Sequence, residues 1–242
     1  MTTLVLLRHG QSAWNLADRF TGWVDVDLTA QGEAEARAAG AAMAAENLQF
    51  DYAFTSLQTR AIRTLWLALA AAEQAWLPVE KHWRLNERHY GALTGLNKTE
   101  TRAKHGDEQV LIWRRSYDIA PPPIEPDSAF DTRKDRRYRA ISPADLPLTE
   151  SLSTTLARVL PVWNAAIAPR LRANERILIA AHGNSLRALV KELFDLTPES
   201  IVKVEIPTGN PLVLTLNAAL KPLSARYLDA NRAQSLPDLP RT

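Results

Sequence analysis

The chain reads as an α/β fold, a three-layer α/β/α domain with a mostly parallel central sheet, and three observations predict it. Short apolar runs alternate with longer segments of helical spacing, the pattern that lays helices on the faces of a parallel or mixed sheet. Two of those runs, Thr3-Leu4-Val5-Leu6-Leu7 and Ile177-Leu178-Ile179-Ala180-Ala181, are unbroken, as in strands covered on both faces. Each hands over to a near-copy of one motif, His9-Gly10-Gln11-Ser12 and His182-Gly183-Asn184-Ser185. Ligands of open α/β sheets bind at that carboxyl edge.

In chain order, Thr3 to Leu7 is the first buried strand. Leu28-Thr29 introduces a helix from Gln31 to Asn47, whose Ala34, Ala38, Ala41 and Ala45 keep helical spacing and predict close packing on the sheet. Phe50 to Thr55 is a second strand. Leu57 to Glu73 is a helix with Ile62, Leu65, Trp66 and Leu69 on one face, and Pro78 to Leu85 is a third, more polar strand. Lys98 to Arg115 is helical with a break at His105-Gly106. Residues 120–146 then form an insertion, rich in proline (Pro121-Pro122-Pro123, Pro126, Pro143) and in charge (Arg133-Lys134-Asp135-Arg136-Arg137). An irregular piece of that length serves as a lid, a binding loop or a linker. Leu152, Leu156, Val159, Leu160 and Trp163 mark one amphipathic helix. Arg176 to Ala181 is the second buried strand, Ser185 to Phe194 its helix and Leu212 to Leu216 a last strand. The polar tail, 224–242, is expected to be mobile. The sheet pattern resumes after the insertion, so residues 1–242 read as a single domain.

Composition narrows the function. With 46% hydrophobic and 23% charged residues, a packed core is available and global disorder is excluded. Charge interrupts every apolar stretch short of a membrane span, and the N-terminus opens on a strand rather than a secretory leader. The absence of cysteine excludes disulfides and thiolate metal sites and fits a reducing cytoplasm. A net charge of +2 is too small for a general nucleic-acid binder, so any anion site must come from local clustering of basic side chains.

The doubled His-Gly element supplies such a cluster. A strand-to-helix turn offers free amides and the positive end of a helix dipole, and Arg8 adds a guanidinium able to grip two phosphate oxygens. The neutral His9 imidazole is a nucleophile for phosphorus, with Gly10 permitting close backbone approach. His182, from an adjacent strand and protonated, would join Arg8 and Arg60 in stabilising transition-state charge. Arg60 occupies the first turns of a helix, against the dipole; it either faces an anion or is a solvated surface arginine. In Asn86-Glu87-Arg88-His89-Tyr90-Gly91, Glu87 is a candidate acid–base group, although a salt-bridged turn would read the same way. Lys98, Arg114 and Arg115 add positive charge. His82 and His105 read as structural, Asp25 and Asp27 as loop and capping residues, and Arg133 to Arg139 as a solvated loop. No metal-ligand spacing, Walker glycine loop or dinucleotide fingerprint is present.

Arg8-His9-Gly10, Phe20-Thr21-Gly22-Trp23, Leu85 to Leu93, Gly95-Leu96-Asn97-Lys98, Trp113-Arg114-Arg115 and Ala180 to Arg187 together resemble the 2,3-bisphosphoglycerate-dependent phosphoglycerate mutases of the histidine phosphatase superfamily. The resemblance runs from about Leu4 to Leu214. It implies interconversion of 3- and 2-phosphoglycerate in glycolysis and gluconeogenesis, with minor bisphosphoglycerate mutase and phosphatase side activities. His9 would be the phosphohistidine, Glu87 the proton carrier and His182 the transition-state stabiliser. Arg8, Gly10, Gln11, Ser12, Asn15, Thr21, Gly22, Arg60, Arg88, His89, Tyr90, Lys98, Arg114, Arg115, Gly183 and Asn184 would line the phosphate and carboxylate sites. It further implies priming by 2,3-bisphosphoglycerate, no metal, a homodimer or homotetramer, and a cytoplasmic location without nucleic-acid or membrane partners. Gln11 replaces the usual glutamate, which should strengthen anion binding slightly; Asn210 replaces an aliphatic residue without evident consequence. A phosphatase of the same superfamily and a catalytically idle phosphosugar-binding relative are the alternatives.

Overall fold

The computed structural model describes residues 1–240. Strands β1 (Thr2–Arg8), β2 (Tyr52–Thr55), β3 (Val79–Lys81), β4 (Ile177–Ala181), β5 (Leu212–Leu216) and β6 (Pro222–Tyr227) form a six-stranded sheet in the order β3-β2-β4-β1-β5-β6. β1 runs parallel to β4, β4 to β2 and β2 to β3, whereas β5 is antiparallel to both β1 and β6. The four parallel strands therefore end at one edge, and the residues that follow them converge there.

The unbroken apolar runs have a direct cause. Leu4, Leu6, Ile177 and Ile179 point into one core, and Val5, Leu7, Leu178 and Ala180 into the other. α6 (Leu152–Val162), α7 (Ala168–Arg172) and α8 (Gly183–Phe194) cover the first face; α2 (Ala30–Ala45) and α3 (Thr59–Ala71) cover the second. The short α1 (Ala13–Leu16) and α9 (Pro198–Ile201) flank the edge connections. α4 (Lys98–His105) and α5 (Asp107–Arg115) are separated, as expected, at Gly106, whose φ is 82°.

Several expectations are corrected. The buried stripe of α2 is Gly32, Ala36, Ala39, Gly40 and Met43, while Ala34, Ala38, Ala41 and Ala45 face solvent. Alanine occupies every side of this helix, so spacing alone carries no direction. Glycine does: a Cβ on Gly40 would lie 2.2 Å from the Ala68 carbonyl oxygen, so α2 and α3 meet backbone to backbone. α3 begins and ends two residues inside its expected bounds, and Trp66 is 56% exposed rather than part of the buried Ala61, Leu65, Ala68 and Leu69 stripe. The expected Pro78 to Leu85 strand shrinks to β3, an edge strand paired only with β2, followed by a 3₁₀ turn at Trp83–Leu85.

Residues 120–146 are irregular, with 3₁₀ turns at Thr132–Lys134, Arg136–Tyr138 and Pro143–Asp145, yet they are anchored. Tyr138 is buried with its ring 4.9 Å from that of Trp23, and its hydroxyl accepts from Asn86 Nδ2 at 2.9 Å. Arg133 pairs with Asp131, and Arg137 with Asp135 and Asp25. The tail is likewise tied down: Ser224 lies within β6, whose alternate side chains face solvent and so read as polar coil. Asn210 has a consequence after all. Its side chain accepts from Asp229 N–H at 3.0 Å and donates to Asp229 O at 2.9 Å, and Arg232 donates to Gly209 O at 3.0 Å. Residues 241 and 242 of the tail lie outside the described residues.

Candidate active site

Because Arg8 stands in register with Ala181 across β1 and β4, the next residue of each strand stands beside the other. The His9 and His182 rings lie 5.0 Å apart between centroids, close to the spacing of about 4.8 Å between neighbouring strands. His9 Nδ1 is 2.7 Å from the Gly10 carbonyl oxygen. A carbonyl only accepts, so Nδ1 carries the ring proton and the Nε2 lone pair is left free, touched by Arg60 Nε–H at 3.3 Å. Burial, then the Arg60 and Arg8 guanidiniums, hold His9 well below the ordinary imidazole value against the raising pull of Gly10 O. A neutral ring results, with its Nε2 lone pair in a fixed direction.

His182 is fully buried, with Nε2 2.8 Å from Ser56 Oγ and Nδ1 without a hydrogen bond among the described residues. It was expected protonated; the structure gives the opposite direction. Burial first, then Arg60, His9, Arg158 and Arg8, push it well below the ordinary value, so it stands as a neutral ring.

The cations are built in by main-chain contacts. Arg60, in the first turn of α3, donates to Val24 O and Gly22 O, both at 2.9 Å, and burial pulls it down to about 10 against the raising influence of Glu87 and Asp25. Arg8 donates through Nη1 to Ile206 O at 2.8 Å, while its buried Nε has no partner among the described residues. A Cβ on Gly183 would stand 3.4 Å from that Nε, an ordinary contact, so the guanidinium lies against the N-terminus of α8. Glu87 Oε1 accepts from the N–H groups of Arg88 (2.7 Å) and Asn184 (3.1 Å); among the described residues no hydrogen bond engages Oε2. Tyr90, half-buried, is lowered on balance: desolvation raises it, but Arg88 and the Asn184 amide outweigh that.

These groups open onto a pocket lined by Arg8, His9, Asn15, Thr21, Gly22, Arg60, Glu87, Tyr90, Lys98, Arg114, Arg115, Gly183 and Asn184, and also by Arg19, Phe20, Arg187, Glu205 and Ile206. Seven of the lining residues are cationic and two are carboxylates, a strong local excess in a nearly neutral chain. The last five were missed. Arg19 and Phe20 adjoin the Thr21-Gly22 motif and Arg187 follows Gly183 by one helical turn, so adjacency could have found them; Glu205, ion-paired with Arg115, carries no sequence signal.

Some expected residues stand off the pocket wall. Gly10 packs on α2, where a Cβ would meet Gly32 O at 2.1 Å. Gln11 turns toward the cap of α2, with Oε1 accepting from Thr29 Oγ1 at 2.9 Å, so the expected gain in anion binding has no contact behind it. Ser12 caps α1. Arg88 is buried, its guanidinium 4.6 Å from the Tyr90 ring centre, and donates to Arg114 O. His89 is 1% exposed, accepts from Gly91 N–H, and is held at about 4 by burial and Arg158. Among the described residues no group of three or more His, Asp or Glu side chains is placed to hold a metal ion.

A sheet of this order with paired histidines at its carboxyl edge defines a class, and the chain belongs to it: the histidine phosphatase superfamily (branch 1), whose family model matches residues 4–147. Within that class the chain is 68% identical over 237 residues to the 2,3-bisphosphoglycerate-dependent phosphoglycerate mutase of Caulobacter sp. (strain K31), covering 98% of this chain and 99% of that one. It is 61% identical to the enzyme of that name from Zymomonas mobilis, covering 95% and 99%. Among solved structures, a mycobacterial glucosyl-3-phosphoglycerate phosphatase aligns with a TM-score of 0.70 at 23% identity, over 94% of this chain and 97% of that one, a likeness of fold.

Proposed function

We propose that this chain interconverts 3-phosphoglycerate and 2-phosphoglycerate, in glycolysis and gluconeogenesis, through a phosphohistidine at His9 primed by 2,3-bisphosphoglycerate. The observation that carries the reading is the His9–His182 pair, rings 5.0 Å apart, opening onto a pocket lined by seven cationic side chains against two carboxylates. Clustered guanidiniums at a helix N-terminus favour a phosphorylated anion. The names of the relatives supply which anion.

In this reading His9 Nε2 releases its contact with Arg60 and attacks phosphorus in line, forming the P–N bond as the P–O bond breaks. Arg8, Arg60 and the N-terminus of α8 at Gly183 and Asn184 take the equatorial charge, and His182 donates from a neutral ring N–H. Glu87 delivers a proton from Oε2 to the departing alkoxide. It recovers that proton when the phosphoryl group returns from His9 to the other hydroxyl. Arg19, Lys98, Arg114, Arg115 and Arg187 hold the carboxylate and the second phosphate, while Asn15, Thr21 and Tyr90 orient the carbon skeleton. No metal takes part.

The reading treats residues 1–242 as one domain, since β5 and β6 return beside β1 after the insertion. It also places the chain in the cytoplasm, without nucleic-acid or membrane partners; no helix among the described residues is long and apolar enough to cross a membrane. A homodimer or homotetramer is supported by exposed Trp66 and Trp76 beside the edge strand β3. Conversion of 3-phosphoglycerate with and without bisphosphate, in the presence of a chelator, tests the function. Bisphosphate-dependent, chelator-resistant isomerisation is expected; release of free phosphate alone would mark a phosphatase, and no reaction an idle relative.

A further inference from the structure

Behind Glu87 lies an ion pair that is not part of the lining of this pocket. Arg158 on α6 and Glu150 just before it have side chains only 5% and 3% exposed, with Arg158 Nε 2.6 Å from Glu150 Oε1 and Nη2 3.0 Å from Oε2. The rest of the guanidinium faces main chain: Nη1 donates to Arg84 O at 2.7 Å, and Nη2 approaches Asn86 O at 3.2 Å and Glu87 O at 3.1 Å. Glu150 Oε2 in turn accepts the His89 N–H at 2.8 Å. One buried pair thus holds the backbone before, at and after Glu87. The same peptide is met by Trp23 Nε1, which donates to Glu87 O at 2.5 Å, and by Gln58 Oε1, which accepts Glu87 N–H at 2.8 Å.

A buried ion pair is a poor stabiliser compared with a well-packed apolar pair, because both charges lose their hydration. Its fixed geometry is the better account here. A carboxylate that must meet two oxygens of one substrate in turn needs a backbone that does not drift, and a misplacement of about 1 Å at such a group can cost 10²-fold in rate. We propose that Arg158 and Glu150 are positioning residues for Glu87, fixing the peptide that aims Oε2 at the reacting oxygens. The inference rests on the mutase reading and deepens it.

The test separates aim from general damage by the leaving group. When 2,3-bisphosphoglycerate phosphorylates His9, a P–O bond breaks at an alkoxide that needs the Glu87 proton. When p-nitrophenyl phosphate does so, the same P–N bond forms but nitrophenolate leaves unprotonated. Arg158→Lys keeps a charge opposite Glu150 yet cannot span the carboxylate and three carbonyls. In rapid-mixing measurements of phosphohistidine formation, it is expected to slow transfer from bisphosphoglycerate about 10²-fold and the nitrophenolate burst by less than about 3-fold, with bisphosphate affinity unchanged. Equal slowing with both donors, or none with bisphosphoglycerate, overturns the proposal. Should Arg158→Lys fail to give the wild-type circular dichroism spectrum, Glu150→Gln is held to the same selective pattern. The functional reading fails separately, if the wild-type chain is phosphorylated by both donors but does not isomerise 3-phosphoglycerate.

Discussion

His9 is held by its own neighbour, Gly10 O, which leaves Nε2 as the nitrogen with an available lone pair, the nucleophile of the proposed reaction. His9→Ala should therefore abolish both the phosphoenzyme, read as the phosphate mass increment at neutral pH, and turnover; survival of either would place the nucleophile elsewhere. Glu87→Gln keeps an oxygen for the Arg88 and Asn184 N–H groups but cannot carry the proton. Turnover should fall about 10²- to 10⁴-fold with bisphosphate affinity little changed, and a collapse of binding would make Glu87 structural. Both positions were legible as candidates because His-Gly behind a strand, and a carboxylate among basic groups, are local patterns, although Glu87 follows the 3₁₀ turn at Trp83–Leu85 rather than a strand. What was not legible was which way neighbours point. Gln11 and Ser12 follow His9 in sequence, yet one turns to α2 and the other caps α1. Arg187 reaches the pocket only because α8 is rotated by its packing on the sheet.

Between elements, α2 and α3 touch at Gly40, where a methyl group would collide with Ala68 O. Gly40→Ala is expected to force the helices apart and cost about 1–3 kcal/mol, read as a lowered urea midpoint with an unchanged slope. At the other end of the chain, Asn210→Val removes both hydrogen bonds to Asp229 while keeping the buried position filled. Limited proteolysis after Tyr227 should become faster, and an unchanged cleavage rate would show that β6 alone holds the tail. Strands β1, β4 and β5 were legible to within a residue, because burial on both faces leaves an unbroken apolar run. β6 was not: an edge strand half in solvent has the composition of a coil. The α2 face was misread for the converse reason, since a helix made of alanine is equally apolar all round.

Across the molecule, three histidines are buried and neutral: His9, His89 and His182 are all lowered, His89 to about 4. In the unfolded chain they titrate near the ordinary value of about 6.5. As pH falls below that value the unfolded state takes up protons that the folded state refuses. Stability is therefore complete above about pH 7 and is lost as pH falls toward the folded values, at up to about 1.4 kcal/mol per pH unit for each histidine. Urea unfolding at pH 7.5 and pH 5 should show this loss, and His89→Gln should reduce it; a loss undiminished in that variant would assign the acid lability to other groups. No such behaviour was legible beforehand, since burial at these three positions exists only once both sheet faces are covered.

The register of β1 on β4 has a consequence for how this catalyst can change. The spacing between the His9 and His182 rings is measured out by the hydrogen-bonded repeat of the sheet, in which Arg8 pairs with Ala181. A one-residue insertion in either strand would turn its imidazole to the opposite side and silence the enzyme while leaving its outline intact.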